Sequence, residues 1–252
     1  MHLLCECTGL QRPHNRISWE RSQQKQTLAR LLAMSLWEAR DHSAEAARNT
    51  LREEAQVVEA CLELLAVCAA HLEEVPNPSV GSRVSAVCVI KVRNLGLASY
   101  SLSLDALAQE SGAILRPLIE TIELLEYLRG DAKRLDEALE GKLPSAGLRA
   151  RSIGSRFGEI RRYLNDHASH FALSPESVRH LLNSETWKFR IVQTFNASVL
   201  RVNLQTLFAV LAIGMYEAVL AVEACDPENV AALAERGERI RTEGLRLFKA
   251  AS

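Results

Sequence analysis

The segment RRYLNDHASH, residues 161 to 170, holds the densest group of side chains able to move protons or stabilise charge. On a helix Tyr163, His167 and His170 fall at i, i+4 and i+7, and Arg162 pairs with Asp166 at i,i+4 beside them. A histidine can take a proton from a ribose 2′-hydroxyl while a neighbouring arginine stabilises charge on the phosphate, which is the minimum for metal-independent RNA cleavage. The same residues suit a structural role, in which His167 and His170 hydrogen-bond a neighbouring helix or its carboxylates. Metal binding by His167 and His170 at i,i+3, completed by Asp166 or Glu120, is a third use. The Glu-x-x-His pairs of helical di-metal proteins do not occur in the sequence, so no metal ligand and no cofactor is assigned.

A second constellation lies upstream in LRPLIETIELLEY. Arg116, Glu120, Glu123 and Tyr127 share one side of a helix at i, i+4, i+7 and i+11. They read either as a solvated polar face or as a pocket wall, because Pro117 removes a backbone hydrogen bond and favours a kink beside the Arg-Glu pair. Five arginines, Arg149, Arg151, Arg156, Arg161 and Arg162, cluster further on. They form either a basic groove or a solvated face that pairs with the acidic DEALE helix.

These motifs carry a resemblance. The LRPLIE helix, LEYLRGD and RRYLNDHASH together resemble a bacterial family of all-helical proteins of unknown function, over residues 85 to 182. Its pattern is an Arg-x-Leu-(Leu/Ile)-Glu helix followed by a Tyr-x-x-Leu-x-x-x-His segment, and Arg116, Glu120, Tyr163 and His167 are the matching positions. Arg162 and His167 also resemble the Arg-x4-His signature of HEPN domains, helical modules of bacterial defence and toxin systems, many of them dimeric ribonucleases. The HEPN resemblance implies Arg162 as phosphate stabiliser and His167 as general acid or base, with Arg116 and Glu120 orienting them. HEPN motifs usually place Asn, Asp or His directly after the arginine, where this chain has Tyr163.

The elements that must position these residues read as helices. Leu51, Val58, Cys61, Leu62, Leu65 and Cys68 keep a three-to-four rhythm through a helix ending near Glu74, with Asp41 and Ser43 as candidate N-caps. VPNPSVGS, around residues 75 to 83, is the clearest break and a place for a sub-boundary. The β-branched VCVIKV run could be a buried strand, but a lone strand cannot satisfy its backbone, so a helix is expected, turning at Ser111-Gly112. AILRPLIETIELLEYLRG ends at Gly130 and DAKRLDEALEG at Gly141. Ile153, Phe157, Ile160, Leu164, Ala168 and Phe171 form an apolar stripe, and Ser174-Pro175-Glu176 and Asp226-Pro227-Glu228 mark two further helix starts. A long helical region spans SETWKFRIVQTFNASVLRVNLQTLFAVLAIGMYEAVLAVEAC between them. Its uninterrupted apolar run stops at Glu217, short of the roughly 18 to 20 residues of a membrane span, so a core helix is expected.

With 252 residues, 48% hydrophobic and 24% charged, the chain can bury a sizeable core. A formal net charge of -1 gives no global reason to expect nucleic acid or anionic lipid. No export signal opens the sequence, and the six cysteines sit largely in apolar helical surroundings, which suits a reducing, cytoplasmic setting. Residues 1 to 33 read as a poorly ordered extension and 34 to 252 as a single helical domain. The expected fold is all-α, a multi-helix bundle of about eight helices. The expected function is a non-enzymatic interaction or ligand-binding module. Its alternatives are a HEPN-like metal-independent endoribonuclease and a helical metal-site protein. The partner is an unidentified protein or RNA, with no membrane span, and a homodimer is compatible with each reading.

Overall fold

A computed structural model describes residues 35 to 167, 182 to 183, 188 to 189 and 195 to 249. The chain divides into two compact units, residues 1 to 39 and 40 to 252. The protein is all-α: the described residues form nine helices and one pair of two-residue strands. In chain order these are α1 (Leu36–Thr50), α2 (Arg52–Glu74), α3 (Val80–Leu104), α4 (Ala108–Arg129), α5 (Ala132–Leu139), α6 (Ala146–Ser152) and α7 (Gly158–His167). Strands β1 (Leu182–Asn183) and β2 (Lys188–Phe189) follow, then α8 (Ala197–Glu223) and α9 (Val230–Lys249).

Four of the helices begin where a short polar side chain satisfies a first free N–H group. Ser35 and Glu38 cap each other: the Glu38 amide donates to Ser35 Oγ at 3.2 Å and the Ser35 amide to Glu38 at 2.7 Å. α1 therefore starts before Asp41 and Ser43, which are interior to it. Ser43 donates instead to the Leu104 carbonyl at 3.0 Å, a buried link to the end of α3. Ser79 caps α3, Asp131 caps α5 and Asn196 caps α8. α9 starts four residues beyond Asp226, whose carboxylate takes hydrogen bonds from the Asn229 side chain.

VCVIKV is helical, in the middle of α3. The turn after α3 falls at residues 105 to 107 rather than at Ser111-Gly112, with Ala106 in the left-handed region at φ 61. Ser111 is instead buried inside α4, where its hydroxyl lies 2.9 Å from that of Ser99 and 2.7 Å from that of Ser103. Small hydroxyl residues let α3 and α4 approach closely while every buried oxygen keeps a partner. Of the long helical region expected after Ser184, Ala197–Glu223 is helical, while Lys188 and Phe189 pair with Asn183 and Leu182 as antiparallel strands. The Ser174-Pro175-Glu176 start lies outside the described residues.

The core is the space between α2, α3, α4 and α8, with α9 closing over α2 and α8 and the short α5, α6 and α7 lying against α4. All six rhythm positions of the α2 region are buried, among them Val58, Cys61 and Leu65 at 0% exposure. Cys61, Cys68 and Cys88 are free thiols packed as small apolar groups, and burial pushes Cys61 and Cys68 up to about 12 and Cys88 to about 11. α2 and α8 are long and apolar enough to cross a membrane by length and composition, and 56% of each apolar window is buried inside the bundle.

α8 and α9 pack closely at Gly244, where an added Cβ would overlap the Phe208 ring that stacks on Phe248 at 5.4 Å between centroids. In an open helix Gly→Ala gains about 1 kcal/mol from propensity. At Gly244 the clash decides the sign: Gly244→Ala is expected to destabilise by about 2 kcal/mol in urea denaturation. Gly237→Ala on the same helix meets only the end of Leu64 and is expected to stabilise. Equal effects at the two sites would remove the steric account.

Candidate functional site

α4 presents a row of charge along one side, and the structure divides that row by depth. Arg116 Nε donates to Glu120 at 3.2 Å and Arg116 Nη1 to Asn165 of α7 at 3.1 Å, in a partly exposed outer end. One turn on, Glu123 is 1% exposed, and Tyr127 is 6% exposed. The face is therefore not a solvated one throughout: its middle is interior.

A carboxylate this deep must be paired or neutral. Arg161 donates to Glu123 Oε2, and Ser155 donates to Oε1 at 2.5 Å while its own oxygen accepts the Phe157 amide at 3.1 Å. Arg161 also lies 3.7 Å from Glu120, so it bridges two turns of α4. Arg134 finishes the row by donating to the Tyr127 carbonyl at 2.9 Å, its guanidinium over the Tyr127 ring.

A second buried carboxylate comes from α8. Glu217, also 1% exposed, accepts from Arg129 at 2.6 Å on one oxygen and from Arg156 at 2.6 Å on the other. Arg156 lies 3.8 Å from Glu126 and over the Tyr216 ring at 5.5 Å. Burial, and then the neighbouring charge of Glu217, raises the Glu126 carboxyl above its ordinary value. Glu120 and Glu123 with Arg116 and Arg161, and Glu126 and Glu217 with Arg129 and Arg156, thus form two ion-paired sets along one seam. It fastens the stretch from Ser155 to Asn165 onto α4 and α8.

Of the residues expected to form a site, Arg116 and Glu120 are in direct contact, and Asn165 brings α7 to them. Arg162 and Tyr163 are exposed, Tyr163 at 57%. His167 ends α7, but its side chain lies outside the described residues, as do that of Asp166 and all of His170. Arg156 and Arg161 pair with α4 and α8, not with the acidic DEALE helix, which is α5. Sequence reasoning missed Glu217, Arg129, Arg156, Ser155 and Arg161 as a unit. The available signal was Glu217 itself, an acid in the most apolar helix, which requires a cation from elsewhere.

Among the described residues no three His, Cys, Asp or Glu side chains converge as a metal site. A small cavity of about 30 Å³ beside Ala108, Asn196 and Asn203 has room for a water molecule rather than an organic ligand. No protein-family model matches the chain, and no curated protein or solved structure matches it significantly.

Two variants separate the roles within the seam. Glu217→Gln removes the buried charge and leaves Arg129 and Arg156, which keep access to water, facing a neutral amide; it is expected to cost about 1 kcal/mol in urea denaturation. Glu126 has the opposite sign. Its raised value means that the folded chain holds this proton more tightly than the unfolded chain, so the group favours folding at low pH and opposes it once ionised. Glu126→Gln is therefore expected to raise the urea midpoint at neutral pH, with the gain vanishing below the ordinary carboxylate range. A destabilised Glu126→Gln at neutral pH would show that its pairing with Arg156 outweighs the repulsion.

Proposed function

We propose that this chain is a non-enzymatic helical interaction module, in which the polar residues of α4 and α7 hold the bundle together. The supporting observation is that Arg116, Glu120, Glu123 and Arg161 spend their charges on one another. A phosphate stabiliser must present its guanidinium to a substrate, and a general base must reach the proton it removes. Glu123 is sealed, and Arg161 is held against it with 19% of its side chain exposed. The partner in this reading is a protein, the setting is cytoplasmic, and no cofactor is required.

A HEPN-like metal-independent endoribonuclease is the second reading. In its favour, α7 turns Arg162 and Tyr163 outward, away from the seam, while Phe157 and Leu164 anchor the opposite side in the core. There Arg162 would stabilise the scissile phosphate and His167 would exchange the proton. The helical metal-site reading needs a converging ligand set, and the described residues offer none.

The experiment is cleavage of a mixed RNA pool in chelator by the full-length protein, wild type beside Arg162→Ala and His167→Ala, with circular dichroism on each. The module reading expects no cleavage by any of them. It also expects Arg161→Ala to cost about 3 kcal/mol of stability by stranding Glu123, and Arg162→Ala to stay within about 0.5 kcal/mol. Cleavage by the wild type that both variants lose would replace it with the nuclease.

A further inference from the structure

The outer face of α3 is a feature that the ion-pair seam does not use. Residues 80 to 104 contain no acid, and α3 is apolar on both sides. Its inner side, with Val89 at 0% and Val92 at 1% exposure, packs against α2, α4 and α8. On the opposite side Val80, Val87, Ile90 and Leu97 stand in solvent at 53%, 66%, 45% and 41% exposure. A helix apolar all round is ordinarily covered all round.

Lys91 apart, the exposed positions are ordered. Val80, Arg83, Val87, Ile90, Asn94 and Leu97 follow one another at alternating steps of three and four, all of them exposed. That is the 3.5-residue period of a two-stranded coiled coil, with Val80, Val87 and Asn94 at a and Arg83, Ile90 and Leu97 at d.

The seam also complements itself. In an antiparallel pair a positions face d positions, and in the register centred level with residues 88 and 89 Val80 meets Leu97 of the second copy. Val87 meets Ile90 and Arg83 meets Asn94, each layer occurring twice by symmetry. Every apolar side chain then faces an apolar one and every polar one a polar one. The Arg83 layer favours the same orientation, with Lys91, the other exposed cation of this face, flanking the seam at position e. A parallel pair would stack Arg83 on its own copy, whereas here the two guanidiniums are separated along the axis by the span from Arg83 to Asn94, about 16 Å. That exceeds the screening length of roughly 8 Å at physiological salt.

We propose that α3 binds the α3 of a second copy as an antiparallel coiled coil in this register, making the protein a two-fold dimer. This gives the interaction module its first partner and rests on that reading, but the seam between α4 and α7 has no part in it.

Sedimentation equilibrium on the full-length protein tests it, with Val87→Asp and Asn94→Glu beside the wild type and circular dichroism to confirm folding. Both changes are on exposed positions, so neither disturbs the core. The expected result is a wild-type dimer at micromolar concentration that Val87→Asp weakens about tenfold or more, by placing a carboxylate in an apolar layer. Asn94→Glu should tighten it, since each new carboxylate faces Arg83 of the other copy. In a parallel pair the same change would set like charges together and weaken association. A monomeric wild type, a dimer indifferent to Val87→Asp, or one weakened by Asn94→Glu overturns the proposal. So does a monomer that sediments with phosphatidylserine vesicles through Val87, which would give the face to lipid. RNA cleavage by an intact dimer would remove the module reading and leave this interface standing, whereas an inert monomer would do the reverse.

Discussion

A carboxylate inside the most apolar helix is the constraint around which this bundle is arranged. Glu217 sits on α8 between the buried Met215 and Ala218. Taking a carboxylate out of water costs several kcal/mol, recovered only if both oxygens find good partners. Arg129 closes α4 and Arg156 precedes α7, so satisfying one side chain ties three parts of the chain together. Glu123 repeats the device with Ser155 and Arg161. Both buried carboxylates draw a partner from the stretch between residues 155 and 161. That stretch carries few buried apolar side chains of its own, chiefly Phe157. Charge pairing, more than apolar area, sets where it lies.

This changes the meaning of the charge balance. Thirty basic against thirty-one acidic residues reads, in sequence, as a surface with no electrostatic bias. Part of the balance is in fact spent within the fold: four arginines and four glutamates pair, with Glu123 and Glu217 buried and the arginines reaching them from partly exposed positions. Buried pairs of this kind contribute little net stability against an apolar replacement, yet breaking one is costly because it strands a charge. Their effect is to penalise alternatives. Any arrangement of α6 and α7 that leaves Glu123 or Glu217 without its arginine is excluded.

The helices were legible where rhythm and punctuation agree. α2 and α4 announce themselves by apolar spacing, and Gly141 stops α5 with a positive φ of 72. The α3–α4 turn was not legible, because its left-handed residue is Ala106, a type that gives no turn signal, while the more suggestive Ser111-Gly112 is spent on helix packing. The start of α1 is carried by the Ser35 and Glu38 spacing, which the choice of Asp41 and Ser43 as candidate caps passed over because both fit a cap by type. In the site, Arg116 with Glu120 follows from helical spacing alone. Glu123 with Arg161 spans 38 positions and depends on how α7 is laid back across α4. No periodicity encodes that, although an acid in an apolar helix implies a cation somewhere.

α3 and α8 show how one sequence property can have two structural outcomes. Both lack a polar face, and this is why VCVIKV could pass for a strand: a helix without polar spacing loses the signal that identifies it. In α8 the absence is explained largely by neighbours, since it packs on α2, α3, α4 and α9 and leaves Val199, Val202 and Tyr216 exposed. α3 has α2, α4 and α8 on its inner side, and among the described residues its opposite side carries exposed Val80, Val87, Ile90 and Leu97. All-round apolarity reports the number of surfaces a helix must bury, not the number that its own chain covers. Where the bundle covers fewer, the difference marks the face on which it is incomplete, and in α3 that face has the spacing of a helix seam rather than the scatter of stray surface valines.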